Sequence, residues 1–260
     1  MKLKMIIAAL CVACVPLAAA ADTIKQIRFG VDSSYPPFES KTPSGELAGF
    51  DIDLGNAICA KLNAKCVWVE NSFDGMIPAL QARKFDAINS SMSKNEQRLK
   101  VIDFTSKLYA PIEALIVKKG SPLVATAESL KGKRVGVLQG STQETYARKY
   151  WGDKGVDVVP YQTQDLIWPD LIAGRVDAAM AFAPQADAGF LKTPPGKDFV
   201  FAQGPAIKDD SIFGPGVSIG VRKDDTALRD AINGAIDSLR KDGTYDKIAK
   251  KYFNFNIYGS

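Results

Sequence analysis

Arg98 ends the run NSSMSKNEQR, Asn89 to Arg98, which places Ser90, Ser91 and Ser93 ahead of a guanidinium. Serine hydroxyls donate hydrogen bonds. The free N–H groups of a helix start attract anions, and an arginine fork matches a carboxylate. The cluster could therefore hold a small anion. The plainer reading is also open: Ser93 and Glu96 stand in S-x-x-E register, which would make Ser93 a helix cap and leave Arg98 on the surface. The same grammar returns in VGVLQGSTQETY, where Ser141 and Glu144 repeat the register and Gly140 lets the backbone approach closely. This second loop lacks G-x-x-x-x-G-K-[ST] and is no phosphate loop. Two such helix starts would clamp one carboxylate from both sides. In GVDSSYPPF, Asp32 could meet a cation and Tyr35 could stack on it; equally, Asp32 could cap a backbone group in a turn. Phe73, in NSFDGMIP, is either a second aromatic wall or a core side chain.

Composition limits the chemistry. The 260 residues contain no histidine, which removes Ser-His-Asp and Cys-His catalysis and the commonest zinc ligand. No cofactor or metal is expected. The formal charge of +4 is mild for this length and gives no reason to expect a nucleic-acid partner. Apolar residues make up 46% of the chain, enough to fill a core.

Short apolar strands alternate with amphipathic helical stretches, an α/β signature. QIRFGV, CVWVE, KFDAINS, EALIVKK, RVGVLQ, VDVVPY and RVDAAMAF read as strands. In GFDIDLGNAICAKLN, Phe50, Leu54, Ile58 and Leu62 recur every four residues on one helix face. Leu228, Ala231, Ile232, Ala235, Ile236 and Leu239 mark a packed helix near the end, followed by a second short one. The punctuation breaks near LYAPIEA and near AIKDDSIFGPG. One series nested between two breaks implies a discontinuous first lobe, residues 22–110 and 215–260, and an inserted lobe, 113–206, with connections at 110–113 and 207–215. Two crossings make a hinge, and a cleft between lobes is a preferred place for a small ligand.

Residues 1–21 read as a signal peptide. Lys2 and Lys4 form a basic start, and the 13 apolar residues from Met5 to Leu17 fall short of the about 20 that span a bilayer. LAAAAD offers cleavage after Ala20 or Ala21. No later run approaches spanning length, so a soluble periplasmic protein is expected. Cys11 and Cys14 leave with the signal; a lipid-anchored cysteine is the rival, but neither follows a Leu-Ala-Gly type box. Cys59 and Cys66 remain, an even pair that suggests a disulfide in an oxidising compartment, against two buried thiols.

The strings GFDIDLGNAIC, FDGMIPAL, KLYA, SLKGKRVGVLQGSTQETYA, GVDVVPY and LRKDGTYDKIAKKYF resemble the periplasmic lysine/arginine/ornithine- and histidine-binding proteins. The resemblance runs from about Ile24 to the end of the chain. It implies the two-lobe periplasmic binding protein fold of type 2, an α/β fold in which each lobe is a mixed sheet flanked by helices and two crossing strands form the hinge. By position, it implies that Arg98, Ser91 and Thr142 hold a ligand α-carboxylate and that Ser93 contacts an α-ammonium. Asp32, with Ser90 nearby, would receive a cationic side-chain end. Tyr35 and Phe73 would sandwich the stem, and Leu138 would close the side. Cys59 and Cys66 match the family's disulfide pair. One position departs: relatives carry an acid for the α-ammonium a few residues after a GR.DA string, where GRVDAAMAFAPQADAGF has Phe182. Asp187 stands five residues too late.

The leading expectation is a monomeric solute receptor that delivers a basic amino acid to an ABC transporter permease at the inner membrane, closing by hinge motion on binding. Phe182 keeps open a variant ligand, a guanidino acid or an opine without a free primary α-amino group. A periplasmic enzyme resembling amino-acid dehydratases would need a placed acid or base, and neither Glu39 nor Glu70 is obviously so placed. A sensor ectodomain is set aside on the expectation that no membrane span or kinase region follows Ser260.

Overall fold

Residues 24–259 are described by a computed structural model. The signal peptide expected at 1–21, with Cys11 and Cys14, lies outside them.

Two sheets organise the chain. In the first, the strands run in the order Lys65–Glu70, Gln26–Val31, Ala87–Ile88, Gly216–Val221, Ser93–Lys94, and Asp103–Tyr109 also pairs with Gly216–Val221. The first three are parallel, whereas Gly216–Val221 is antiparallel to its neighbours. The second sheet runs Asp157–Tyr161, Arg134–Leu138, Ala178–Phe182, Glu113–Lys118, Phe199–Phe201, three parallel strands and then two antiparallel ones. Parallel neighbours need crossover helices, which is why helical periods fall between these strands. The helix Phe50–Lys61 buries Phe50, Leu54 and Ile58 against the first sheet, about 1.5–3 kcal/mol for each side chain removed from water. Thr226–Lys241 buries Ile232, Ala235, Ile236 and Leu239 on the same core. A disulfide joins Cys59 to Cys66, with Cα atoms 5.8 Å apart, and ties the end of the helix Phe50–Lys61 to the strand Lys65–Glu70.

The chain passes from the first sheet to the second between Tyr109 and Glu113. It leaves the second after Phe201 and rejoins the first at Gly216. On the way back, Ile207, Ile212 and Phe213 pack with the second-sheet core, and Phe213 stacks on Tyr146 at 5.4 Å. A third, three-stranded antiparallel sheet, Ser34–Tyr35, Glu39–Lys41 and Leu47–Ala48, lies beside the first helix.

One local expectation changes. The helix after the serine cluster is only Glu96–Leu99, and its N-cap is Asn95, whose Oδ1 accepts the Arg98 N–H at 2.9 Å. Ser93 sits two residues earlier, in an extended strand facing Val217, where its hydroxyl cannot reach the first helical N–H groups. The S-x-x-E register is therefore coincidental here. At the second loop it holds: Ser141 Oγ accepts the Glu144 N–H at 3.1 Å, and Glu144 Oε2 accepts the Gly140 N–H at 2.7 Å.

Candidate functional site

The two lobes meet over a pocket lined by residues of both, and a cleft between lobes is a preferred place for a small ligand. All ten residues singled out by sequence line it. Asp32, Tyr35, Phe73, Ser90, Ser91, Ser93 and Arg98 come from the first lobe, and Leu138, Thr142 and Phe182 from the second. Strand ends and helix starts supply them, because side chains there escape the ladder and face the gap between the sheets. Asp187 takes no part; it forms an ion pair with Lys192 at 2.6 Å instead.

Among the described residues, Arg98 is the only cation on the lining. Its Nη1 donates to the Ser93 carbonyl at 2.8 Å, its Nη2 donates to the Gly140 carbonyl at 3.2 Å, and its guanidinium lies 5.5 Å from the Phe73 ring centre. Among the described residues, no carboxylate stands within 4 Å of it. Burial lowers its pKa to about 10, so it stays cationic at neutral pH without a compensating anion. The Gly140 contact joins the lobes. Gly140 has φ +73°, and a Cβ there would come within 3.0 Å of the Asp74 backbone; a side chain would strain the turn and push the lobes apart. Nearby, Gln139 Nε2 donates to Asp74 Oδ2 at 3.0 Å.

The carboxylates gather elsewhere. Asp32 Oδ1 accepts from the Ser34 N–H at 3.0 Å and from its hydroxyl at 2.6 Å, and Oδ2 accepts the Phe73 N–H at 3.2 Å. Asp32 therefore caps its own turn, as the plainer reading had it, and also faces the pocket. Burial raises its pKa against these bonds. Ser90 Oγ accepts the Asp32 N–H at 2.9 Å and donates to Glu39 at 3.1 Å. Ser91 Oγ donates to Glu39 at 3.2 Å and accepts from the Tyr109 hydroxyl at 2.9 Å. The same Tyr109 proton is shared with Asp51, whose Oδ2 lies 3.0 Å from the hydroxyl, and the Ser91 N–H donates to Asp51 at 2.9 Å. Burial, and then the charge of Asp51, raise Glu39 well above the usual carboxylate range. Burial also raises Asp51, to about 6.

Two lining acids were not assigned to the site from the sequence: Glu39, weighed only as a catalytic acid and set aside, and Glu113, which opens the strand Glu113–Lys118. Burial raises Glu113 to about 7, while a 2.8 Å bond from Gln143 Nε2 opposes this. Tyr35 has its pKa raised well above 10.0, first by burial and then by the charges of Glu113 and Glu39, which places both acids around its hydroxyl. Phe182 turns its ring across the cleft, 5.2 Å from Phe38 and 6.1 Å from Tyr109. It and Leu138 belong to the first lobe's apolar cluster although both stand on the second sheet.

A two-lobe α/β body with a polar and aromatic cleft defines a class of solute receptors, and the comparisons with known proteins agree. Residues 27–255 match the family model of bacterial extracellular solute-binding proteins, family 3, and the chain belongs to that family. It is 55% identical to the lysine/arginine/ornithine-binding periplasmic protein of Escherichia coli (strain K12), over 90% of this chain and 89% of that one. It is 53% identical to the histidine-binding periplasmic protein of the same strain, over 93% of each. Among solved structures, an ancestral arginine-binding protein bound to arginine superposes with a TM-score of 0.82 at 37% identity, covering 89% of this chain and 100% of that one. The chain is accordingly a periplasmic solute-binding protein and not an enzyme.

Proposed function

We propose that this protein captures a basic amino acid (lysine, arginine, ornithine or histidine) between its lobes and delivers it to an ABC permease at the inner membrane. The observation that carries the reading is Arg98, a lining cation without an anionic partner, opposite a cleft that also holds carboxylates. A buried charge demands a counter-charge, and a ligand carboxylate is the missing group.

Arg98 and Thr142, with the helix start that follows Ser141, hold the carboxylate; the Ser91 hydroxyl joins them by turning from Glu39. Asp32, buttressed by Ser90, receives the side-chain cation. Tyr35 and Phe73 flank the stem, Leu138 closes the side, and Ser93 meets the α-ammonium. The lobes comprise residues 22–110 with 215–260, and 113–206, hinged at 110–113 and 207–215. The protein works as a monomer. Mass spectrometry of small molecules released from the purified, denatured protein, with thermal shifts for the four amino acids, tests the ligand. A ligand that binds the native state raises its melting temperature, and no shift with any of the four would end the reading. Light scattering of the purified protein tests the monomer.

A further inference from the structure

We propose that Glu113, on the first crossing strand, is the acid that pairs with the ligand's α-ammonium, in place of any side chain at position 182. The inference rests on the basic amino-acid reading above and adds to it a residue that determines specificity.

The argument is one of register. Ala178–Phe182 and Glu113–Lys118 are antiparallel neighbours, and Glu113 stands directly opposite Phe182. Directly opposed residues of an antiparallel pair project from the same face, with Cβ atoms about 4.5–5.5 Å apart. A carboxylate at 113 therefore overlooks the space that a side chain at 182 overlooks. Both positions line the pocket. At 182 the side chain is a phenyl ring that reaches over to Phe38 and Tyr109, so it offers an ammonium no charge. Among the described residues, the Glu113 carboxylate accepts one hydrogen bond within the second lobe, the neutral one from Gln143. No lysine or arginine pairs with it among the described residues, and Arg98 is the one cation on the lining. The charge of Glu113 helps to raise the Tyr35 hydroxyl, and Glu39 and Asp32 line the same pocket. A half-buried carboxylate among other acids, held by one amide, is a receptor for a cation. Gln143 belongs to the first turn of the helix that offers its N–H groups to the ligand carboxylate. It therefore holds Glu113 close to where the α-carbon of an amino acid must sit.

The test compares arginine with 5-guanidinopentanoate, which is arginine without its α-amino group, in the full-length mature protein. The variant is Glu113→Gln, which keeps the shape and a hydrogen-bonding partner for Gln143. Calorimetry on the wild type should find arginine bound tenfold or more tightly than the deaminated analogue. Glu113→Gln should weaken arginine by about 30-fold or more, the loss typical for one member of a buried charge pair, and the analogue by less than threefold. An equal loss for both ligands, or no loss for either, would overturn the assignment while leaving the amino-acid receptor intact. A wild type that prefers the analogue would overturn it in favour of a deaminated ligand. A wild type that binds neither compound, nor lysine, ornithine or histidine, would overturn the underlying reading together with the assignment. Glu113→Asp serves as the second variant. By keeping the charge on a shorter stem, it should retain more arginine affinity than Glu113→Gln.

Discussion

Replacing Arg98 with alanine removes the one positive charge on the cleft lining. Its guanidinium donates to two neutral carbonyls, those of Ser93 and Gly140. Each such bond contributes about 1 kcal/mol net, and the cost of holding a cation without an anion opposes it. The ligand-free variant should therefore melt within a few degrees of the wild type, since 1 kcal/mol moves a chain of this size by about 2–4 °C. Binding is different. Once a carboxylate lies against Arg98, deleting the guanidinium leaves that carboxylate desolvated and unpaired. Such losses run to about 2–5 kcal/mol, which at 1.4 kcal/mol per decade is roughly 30-fold to a few thousand-fold in Kd. Arg98→Lys should fall between, because lysine keeps the charge and loses the fork. Isothermal calorimetry with arginine, after the protein has been unfolded and refolded to strip carried ligand, reads both variants. Because burial lowers Arg98 only to about 10, its contribution should be flat from pH 6 to 9. A normally melting Arg98→Ala protein that binds arginine within threefold of the wild type would refute the reasoning and detach Arg98 from the ligand.

Further outcomes can be stated more briefly. Asp32→Asn should weaken arginine and lysine much more than any residual binding of glutamine, measured by competition; an equal loss across ligands would mean that Asp32 serves only its turn. Glu113 is raised from 4.5 to about 7, so the folded protein holds a proton there that the unfolded chain releases, and ligand-free stability should fall as pH rises from about 4.5 through 7. Glu39 acts in the same sense, while Tyr35 and Arg98 do not titrate in this window, so the difference between wild-type and Glu113→Gln denaturation curves isolates the Glu113 part; parallel curves would remove it. Reducing the Cys59–Cys66 bridge should cost about 2–3 kcal/mol, the closure entropy of so short a loop. Unreduced mass spectrometry should find the pair joined in exported protein, and freely alkylating thiols would contradict this.

The sequence made the periodic elements legible because their signals are local. Four-residue spacing picks out Phe50, Leu54 and Ile58, and all three are buried where the helix meets the sheet. The nested arrangement of the lobes was inferred from two breaks in one α/β rhythm. Gly216–Val221, a central strand of the first sheet, was not read: GVSIGV has two glycines and no alternation, since both of its faces are buried. The cap at Asn95 was missed because S-x-x-E and N-x-x are both local grammars, and only the pairing of Ser93 with Val217 decides between them. Residue types singled out the serines, Arg98 and the aromatics, and all of these line the pocket. They could not suffice for Glu113. Its significance lies in facing Phe182 across a strand pair, and register between segments so far apart is a tertiary fact. Glu39 is similar: a lone acid after YPPF becomes notable only when Asp51, Ser90 and Ser91 gather around it.

These contacts also bear on how the cleft closes. A ligand shifts a two-state equilibrium only by its differential affinity for the two states. The cross-lobe contacts of Phe182 with Phe38 and Tyr109 are apolar, and such ring pairs contribute about 0.5–1.5 kcal/mol each. They favour closure. Against them stands the electrostatic cost of closing over Arg98, Asp32 and Glu113 while each lacks an opposite charge, a cost that rises as water is expelled. The bias is then set by occupancy. An amino acid with two cations and one anion turns all three opposing terms into pairings, and each pairing exists in full only in the closed form. Phe182 does more for closure as a ring than an acid there would, because the charge it lacks is supplied one strand away by Glu113 and the apolar contact it makes reaches the other lobe. Exchanging the two roles, with Phe182→Asp and Glu113→Phe together, would keep the cleft's net charge while moving the ring off Phe38. Closure of the double variant should then demand ligand more strictly than that of the wild type.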